Sequence, residues 1–174
     1  FVDLKYHDIP NTVAGAIRSL CGHVTPAYLN VHGSGGADMM KAARDACPPE
    51  TGLLAVTVLT SLDVKSLHAI GFQGSPDDIV LRIAELARLS GLDGVVCSAH
   101  EVERLRRECG PEFDLMVPGI RPAGTDVNDQ KRVMTPKDAL KKGATHLVIG
   151  RPITGTPDPA LAARQILKEM QGER

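Results

Sequence analysis

Residues 1–12 read FVDLKYHDIPNT, and the first seven of them have the pattern of a β-strand. Side chains alternate between the two faces of a strand, so Asp3 and Lys5 share one face. The other face carries the apolar side chains of Val2, Leu4 and Tyr6. In a barrel of parallel strands the apolar face meets the surrounding helices, which turns the acid and the base inward. Because unpaired buried charges are costly, an inward pair near the end of a barrel strand indicates an active site. The alternative is an exposed edge strand with an incidental ion pair.

The rest of the chain continues as strands alternating with helices. Short apolar runs predict further strands at 27–32, 53–59, 94–99, 115–120 and 146–150. Helices between them begin at capping residues followed by proline, namely Ser75-Pro76, Thr135-Pro136 and Asp158-Pro159. Glycines suited to helix C-termini follow at Gly91, Gly110 and Gly143. Strands separated by helices predict parallel pairing with right-handed crossovers.

Two architectures accommodate six such units: an open doubly wound sheet, and a (β/α)₈ TIM barrel without its first two units. The open sheet would carry a glycine-rich fingerprint after its first strand, and none is present. The run VHGSGG at 31–36 lacks the Lys-Ser/Thr ending of a phosphate loop and is interpreted as a turn. A barrel has about 250 residues, or roughly 30 per unit. We therefore expect an α/β chain whose single TIM-barrel domain spans 1–174. It would run from the third strand to the C-terminus, with six of eight units present and the N-terminal part missing.

The composition argues against several classes of protein. Twenty Lys and Arg against 21 Asp and Glu give a net charge of −1, without long runs of like charge. This balance disfavours nucleic acid or a membrane surface as the main partner. No apolar stretch reaches the roughly 18 residues of a transmembrane helix. The four cysteines form no C-x-x-C pair, so we expect free thiols in a reducing cytoplasm and no metal site.

A phosphate site is predicted at the last strand, where VIGRPI at 148–153 places Gly150 and Arg151. Glycine permits close approach of the backbone, and arginine binds phosphate bidentately. The alternative is an ordinary surface arginine. Barrel phosphate sites commonly use the loops after strands 7 and 8, here 119–134 and 150–155. The long polar stretch 121–134 suggests a lid, or else an ordinary exposed loop. Thr60 or Ser61, after the third visible strand, could bind a ligand or cap a turn.

These segments together resemble the orotidine 5′-phosphate decarboxylase family in its bacterial form. The motif Asp3-x-Lys5-x-x-Asp8-Ile9-Pro10-x-Thr12 is similar to the family's signature. The related keto-gulonate phosphate decarboxylases lack its Ile-Pro-x-Thr continuation. Later segments match in order: VTVLTS at 56–61, VPGIRP at 117–122, Asp129-Gln130, and IGRPI at 149–153. The resemblance covers essentially the whole chain.

The resemblance implies a homodimer that converts orotidine 5′-phosphate to UMP and CO₂, closing de novo pyrimidine biosynthesis without metal or organic cofactor. Lys5 would give the proton to C6 of the pyrimidine, and Asp3 would lie against the substrate carboxylate. Asp8, Ile9 and Thr12 would reach into the partner subunit's site. The remaining substrate contacts would come from Thr60 or Ser61 at the pyrimidine edge, Gln130, Gly150 and Arg151 at the phosphate, and Pro118 and Arg121 in the closing loop.

Two other functions stay open from the sequence. One is a related sugar-phosphate decarboxylase of the same superfamily, which magnesium dependence would favour. The other is a non-catalytic relic that binds a phosphate ligand, if the chain truly starts at Phe1. The family also uses an Asp on the first barrel strand and a Lys on the second, and both would precede Phe1.

Overall fold

The computed structural model describes residues 1–122 and 134–171. Within them the chain alternates between strands and helices in the predicted order. The elements are β1 (Val2–Tyr6), α1 (Pro10–Cys21), β2 (Tyr28–His32), α2 (Gly36–Ala46), β3 (Gly52–Val56), α3 (Val64–Ala69), α4 (Pro76–Leu89), β4 (Gly94–Val96), α5 (Val102–Cys109), β5 (Asp114–Pro118), α6 (Pro136–Lys141), β6 (His146–Val148), α7 (Arg151–Thr154) and α8 (Pro159–Gln171). A 3₁₀ turn at Gly33–Gly35 precedes α2, so the glycine-rich run is a strand–helix turn as expected.

All six strands of the described chain are parallel and pair in sequence order, from β1 to β6. The strand predictions are confirmed, although several strands are shorter than expected. An open doubly wound sheet reverses its strand order at a switch point. The uninterrupted order therefore excludes that architecture for the described part and agrees with successive units of a barrel. The short helices α3 and α7 were not predicted.

The predicted helix starts and ends are confirmed by backbone geometry. The hydroxyls of Ser75 and Thr135 accept hydrogen bonds from the N–H groups of Asp78 and Asp138, at 3.2 and 3.1 Å. The Asp158 carboxylate accepts from the N–H of Leu161 at 2.9 Å. The glycines that follow α4, α5 and α6 have the positive φ angles that favour this residue: Gly91 at 80°, Gly110 at 88° and Gly143 at 106°.

Apolar side chains fill both faces of the sheet. On the face toward the helices, Leu29, Leu53 and Val117 are fully buried and pack in the cluster that includes Ile17 and Met40. On the opposite face Leu54, Val56 and Met116 are also buried. Burial on both faces is typical of parallel strands in α/β proteins. The four cysteines are free thiols, as expected.

The predicted apolar face of β1 is only partly correct. Val2 and Tyr6 are half-buried and pack against the core, but Leu4 is 53% exposed. Simple alternation fails here for two reasons. Pairing between β1 and β2 is irregular between Val2 and Tyr6, and β1 is an edge strand of the described sheet.

Arg106 of α5 joins three segments of the fold. One of its terminal nitrogens donates to the carbonyls of Gly110, Pro111 and Phe113 at 2.7–2.8 Å. The other nitrogens donate to the Gly143 carbonyl at 2.7 and 3.1 Å. The side chain thus holds the connection into β5 against the turn that precedes β6.

We expect Arg106→Met to lower the free energy of unfolding by about 1–3 kcal/mol, because it leaves several half-buried carbonyls without their donor. Urea denaturation measures the change. Arg107→Met is the matched control, since Arg107 is the next residue of the same helix, is 69% exposed and forms an ion pair with its neighbour Glu108. That substitution should change stability by less than about 0.5 kcal/mol. Equal losses in the two variants would contradict the role of Arg106.

Candidate active site

Asp3 and Lys5 form an ion pair in β1. The Lys5 ammonium lies 2.7 Å from Oδ1 of Asp3, and both side chains are about two-fifths exposed. The two side chains therefore lie together, as predicted. Partial burial raises the pKa of Asp3, but hydrogen bonds from Lys5 and Asn30 and the positive charge of Lys5 outweigh it. The pKa of Asp3 therefore lies below its ordinary value, so the carboxylate is ionised at neutral pH.

Asn30 completes this group from the neighbouring strand β2, and it was not predicted from the sequence. Its side-chain amide donates to Oδ1 of Asp3 at 2.5 Å and accepts from the backbone N–H of Lys5 at 2.8 Å. Asn30 is fully buried between Leu29 and Val31. The available signal was the polar residue at the centre of an otherwise apolar strand core, LNV at 29–31.

Two histidines border the pair. His32 ends β2 and is half-buried, and its ring centroid lies 5.4 Å from that of His7, which follows β1. Burial lowers the pKa of His32, and the nearby His7 and Lys5 lower it further, against the opposing effect of Asp3. His32 is therefore mainly neutral at pH 7 and adds little charge to the site.

A cleft of about 180 Å³ connects Lys5 with the ends of three other strands. It is lined by Lys5, Val56, Val58, Leu59, Thr60, Val96, Cys97 and Pro118. Adjacent strands are about 4.8 Å apart, so β1 and β5 would be separated by about 19 Å in a flat sheet. One small cleft reaches both strands because the sheet curls. The predicted site residues Lys5, Thr60 and Pro118 thus meet at the C-terminal edge of the strands.

Other predicted site residues lie outside this cleft. Ser61 is exposed. Gly150 and Arg151 are exposed at the start of α7, beyond the end of β6. Arg121 is 8% exposed, and its guanidinium donates to the carbonyl of Ile120 at 2.9 Å. Gln130 and most of the predicted lid lie outside the described residues.

The segment predicted to reach a partner subunit is exposed. Asp8, Ile9 and Thr12 lie at the junction of β1 and α1, and Ile9 is 66% exposed. The Asp8 carboxylate accepts from the N–H of Ile9 at 2.6 Å. Pro10 begins α1, as predicted. A large exposed aliphatic side chain between two polar ones is therefore available for contact with another molecule.

Residues 1–122 and 134–171 contain neither a candidate metal centre nor a candidate membrane span. No group of three or more His, Cys, Asp or Glu side chains has an arrangement that could hold a metal ion. Among the described helices, none combines the length and the apolar character needed to cross a membrane.

Comparison with known proteins places the chain in a family. Residues 1–166 match the family model described as orotidine 5′-phosphate decarboxylase / HUMPS family. The chain is 53% identical to an orotidine 5′-phosphate decarboxylase of Rhodospirillum rubrum, with 99% of this chain and 72% of that protein aligned. The chain is 54% identical to an orotidine 5′-phosphate decarboxylase of Thermobifida fusca, with 98% of this chain and 72% of that protein aligned.

Solved structures agree with the sequence matches. The crystal structure of the Lactobacillus acidophilus orotidine 5′-phosphate decarboxylase superposes with a TM-score of 0.84 at 39% identity, covering 97% of this chain and 73% of that one. The Pyrococcus horikoshii orotidine 5′-phosphate decarboxylase superposes with a TM-score of 0.76 at 26% identity, covering 98% of this chain and 73% of that one. The six consecutive parallel units are therefore part of a (β/α)₈ barrel fold. By sequence and by fold, the chain belongs to the orotidine 5′-phosphate decarboxylase / HUMPS family.

Proposed function

We propose that this protein decarboxylates orotidine 5′-phosphate to UMP and CO₂, the last step of de novo pyrimidine biosynthesis. The observation that carries the proposal is the Asp3–Lys5 pair, whose lysine lines a cleft with Thr60 and Pro118 at the C-terminal edge of the strands. Barrel enzymes have their active sites at this edge. The substrate is the one acted on by the named relatives.

Lys5 supplies the chemistry that this reaction needs. The bond between C6 of the pyrimidine and the carboxylate carbon breaks, CO₂ leaves, and the electron pair stays on C6. A fixed ammonium group next to C6 stabilises this developing negative charge. The same group then transfers a proton to C6 and regains one from solvent. No metal or organic cofactor takes part in these steps.

Asp3 keeps Lys5 charged and in place. Its carboxylate lies 2.7 Å from the lysine nitrogen and is ionised at neutral pH, because its pKa is lowered. An ionised partner favours the protonated form of a lysine, which is the form that can donate a proton. Asp3 would also lie against the substrate carboxylate until CO₂ leaves.

The phosphate group would be held at the end of β6. Gly150 has no side chain, so its backbone can approach the phosphate closely. Arg151 is exposed at the start of α7, where its guanidinium can reach an anion. Gln130 would add a third contact. Pro118 and Arg121, which flank the start of the long loop, would help it close over the substrate. Thr60 and Ser61 would meet the edge of the pyrimidine.

We also infer a homodimer in which each site is shared between subunits. Asp8, Ile9 and Thr12 support this, because they are exposed next to the catalytic strand and the described part of the chain leaves Ile9 66% exposed. Asp8 and Thr12 of one subunit would then face the substrate bound by the other, and Ile9 would make the apolar contact.

A mixing experiment tests the shared site. Lys5→Ala and Asp8→Asn are each expected to be inactive as pure proteins. After subunit exchange, half of the dimers are mixed and each contains one intact site, so about a quarter of wild-type activity should return. Mixing Lys5→Ala with Asp3→Asn is the matched control and should restore nothing, because Asp3 and Lys5 belong to the same subunit's site. Equal recovery in both mixtures, or in neither, would contradict a site that takes Asp8 from the partner.

The substrate assignment has a direct assay. The absorbance of the orotate ring should decrease when the intact protein is mixed with orotidine 5′-phosphate, and EDTA should leave the rate unchanged. The alternative activity is that of a related sugar-phosphate decarboxylase of the same superfamily. Turnover of 3-keto-gulonate 6-phosphate that requires magnesium, together with no change on orotidine 5′-phosphate, would replace the proposal with that activity.

We further infer that the protein acts in the cytoplasm, without nucleic acid or a membrane as partner. Supporting this are the near-balance of charges and the four free cysteines, which suit a reducing compartment.

A further inference from the structure

The pairing of β1 with β2 is irregular at the catalytic residues. Val2 pairs with Leu29 and Tyr6 pairs with Val31, so three residues of β1, from Asp3 to Lys5, lie opposite the single residue Asn30. Lys5 also has a φ of 52°, the left-handed conformation that residues other than glycine rarely adopt. Irregularities of this kind redirect side chains near active sites. Here the irregularity brings Asp3 and Lys5 together.

The side chain of Asn30 occupies the gap in the ladder. Its carbonyl oxygen accepts the Lys5 backbone N–H at 2.8 Å, in place of a backbone carbonyl of β2. Its amide nitrogen donates to the Asp3 carboxylate at 2.5 Å. If the amide were rotated by 180°, its NH₂ group would face the N–H of Lys5 and its oxygen would face the carboxylate of Asp3. Neither pair can form a hydrogen bond, so only one orientation satisfies both neighbours. Full burial leaves no water to replace either bond.

We propose that Asn30 is the positioning residue of the catalytic pair, holding the left-handed backbone of Lys5 and the carboxylate of Asp3 through a single amide. The inference rests on the proposed function. Left-handed backbone at a lysine is unfavourable by itself and persists only where neighbouring groups fix it. Because one side chain fixes both partners, its loss changes the position of the lysine nitrogen relative to the substrate.

Two substitutions remove different parts of this contact. Asn30→Ala removes both hydrogen bonds, whereas Asn30→Asp has nearly the same shape and keeps an acceptor for the Lys5 N–H. We expect each to lower kcat by about 10- to 100-fold, as misplacement of a catalytic group does. The KM for orotidine 5′-phosphate should stay within about threefold, because the proposed phosphate contacts are on other strands.

The two variants should depend on pH in opposite directions. Asp3 is faced by Lys5 of its own strand and by His32 at the end of β2, with His7 packed on His32. Asn30→Ala removes a donor to Asp3 and so raises the pKa of that carboxyl, which makes the deficit in kcat grow as pH falls. With Asn30→Asp the new carboxyl is protonated at low pH and can still donate to Asp3. At higher pH it ionises and repels Asp3, so the deficit grows as pH rises.

Thr51→Val is the matched control for stability. Thr51 is also fully buried, and its hydroxyl donates at 2.8 Å to the carbonyl of Pro26, at the opposite end of the strands. This variant should lose stability without losing kcat at any pH. Circular dichroism and urea denaturation would be measured for all three proteins.

The outcomes separate this inference from the proposed function. If wild-type protein does not turn over orotidine 5′-phosphate, the function itself is wrong. If wild type is active and the two Asn30 variants show opposite pH trends, the positioning role is supported. Wild-type kcat in either variant, or a pH-independent loss, would overturn it. Failure of both variants to fold would also overturn it, since Asn30 would then support the sheet rather than the pair.

Discussion

Lys5→Ala is expected to lower kcat by about 10⁴-fold or more while the protein stays folded. The substitution removes both the proton donor, worth about two to four orders of magnitude, and the fixed positive charge near C6, worth about two to three. Lys5 is about two-fifths exposed, so its removal leaves no buried cavity. Rates at saturating orotidine 5′-phosphate, together with thermal unfolding, measure the two expectations.

The control for this prediction is Lys168→Ala, which makes the same chemical change on the exposed surface of α8. It should have wild-type kcat. Binding of UMP by Lys5→Ala separates catalysis from assembly of the site, since the variant should bind the product with little change in affinity. Activity of Lys5→Ala within tenfold of wild type would show that another residue carries the reaction.

Local signals explain why so much of the fold was predictable. The starts of α4, α6 and α8 depend on capping contacts over three residues, at Ser75, Thr135 and Asp158. Short-range contacts of this kind are encoded in the nearby sequence. The meeting of Asp3 and Lys5 was predicted from regular alternation along β1, but the structure reaches it through an irregular register instead. The short helices α3 and α7 have four to six residues, too few for an apolar periodicity to appear.

The features that depend on contacts between different strands could not be predicted from the sequence in detail. Asn30 reaches residues 25 and 27 positions earlier in the chain, and its role depends on an irregular register that no local pattern specifies. The exposure of Leu4 has the same origin. The meeting of Lys5, Thr60 and Pro118 was predictable only in outline, because the ends of parallel barrel strands converge on one edge. The burial of Arg121 had no sequence signal.

Arg151→Ala is expected to weaken the binding of UMP by about 100-fold and to leave the binding of uridine nearly unchanged. A charged hydrogen bond contributes about 1.5–3 kcal/mol, which corresponds to a factor of about 10 to 150 in affinity. Arg151 begins α7 directly after Gly150 and is exposed, so it is accessible to a phosphate at the end of β6. Uridine lacks the phosphate, so its binding does not depend on the contact that Arg151 makes with that group.

Isothermal titration with the two ligands makes the comparison, and Arg164→Ala on the exposed face of α8 is the control for removing an arginine. Turnover adds a second criterion. The phosphate is remote from C6, so its binding energy serves to close the site around the substrate rather than to change bonds. KM for orotidine 5′-phosphate should therefore rise more than kcat falls. If Arg151→Ala weakens UMP and uridine equally, the arginine supports the structure of the site and the phosphate is bound elsewhere.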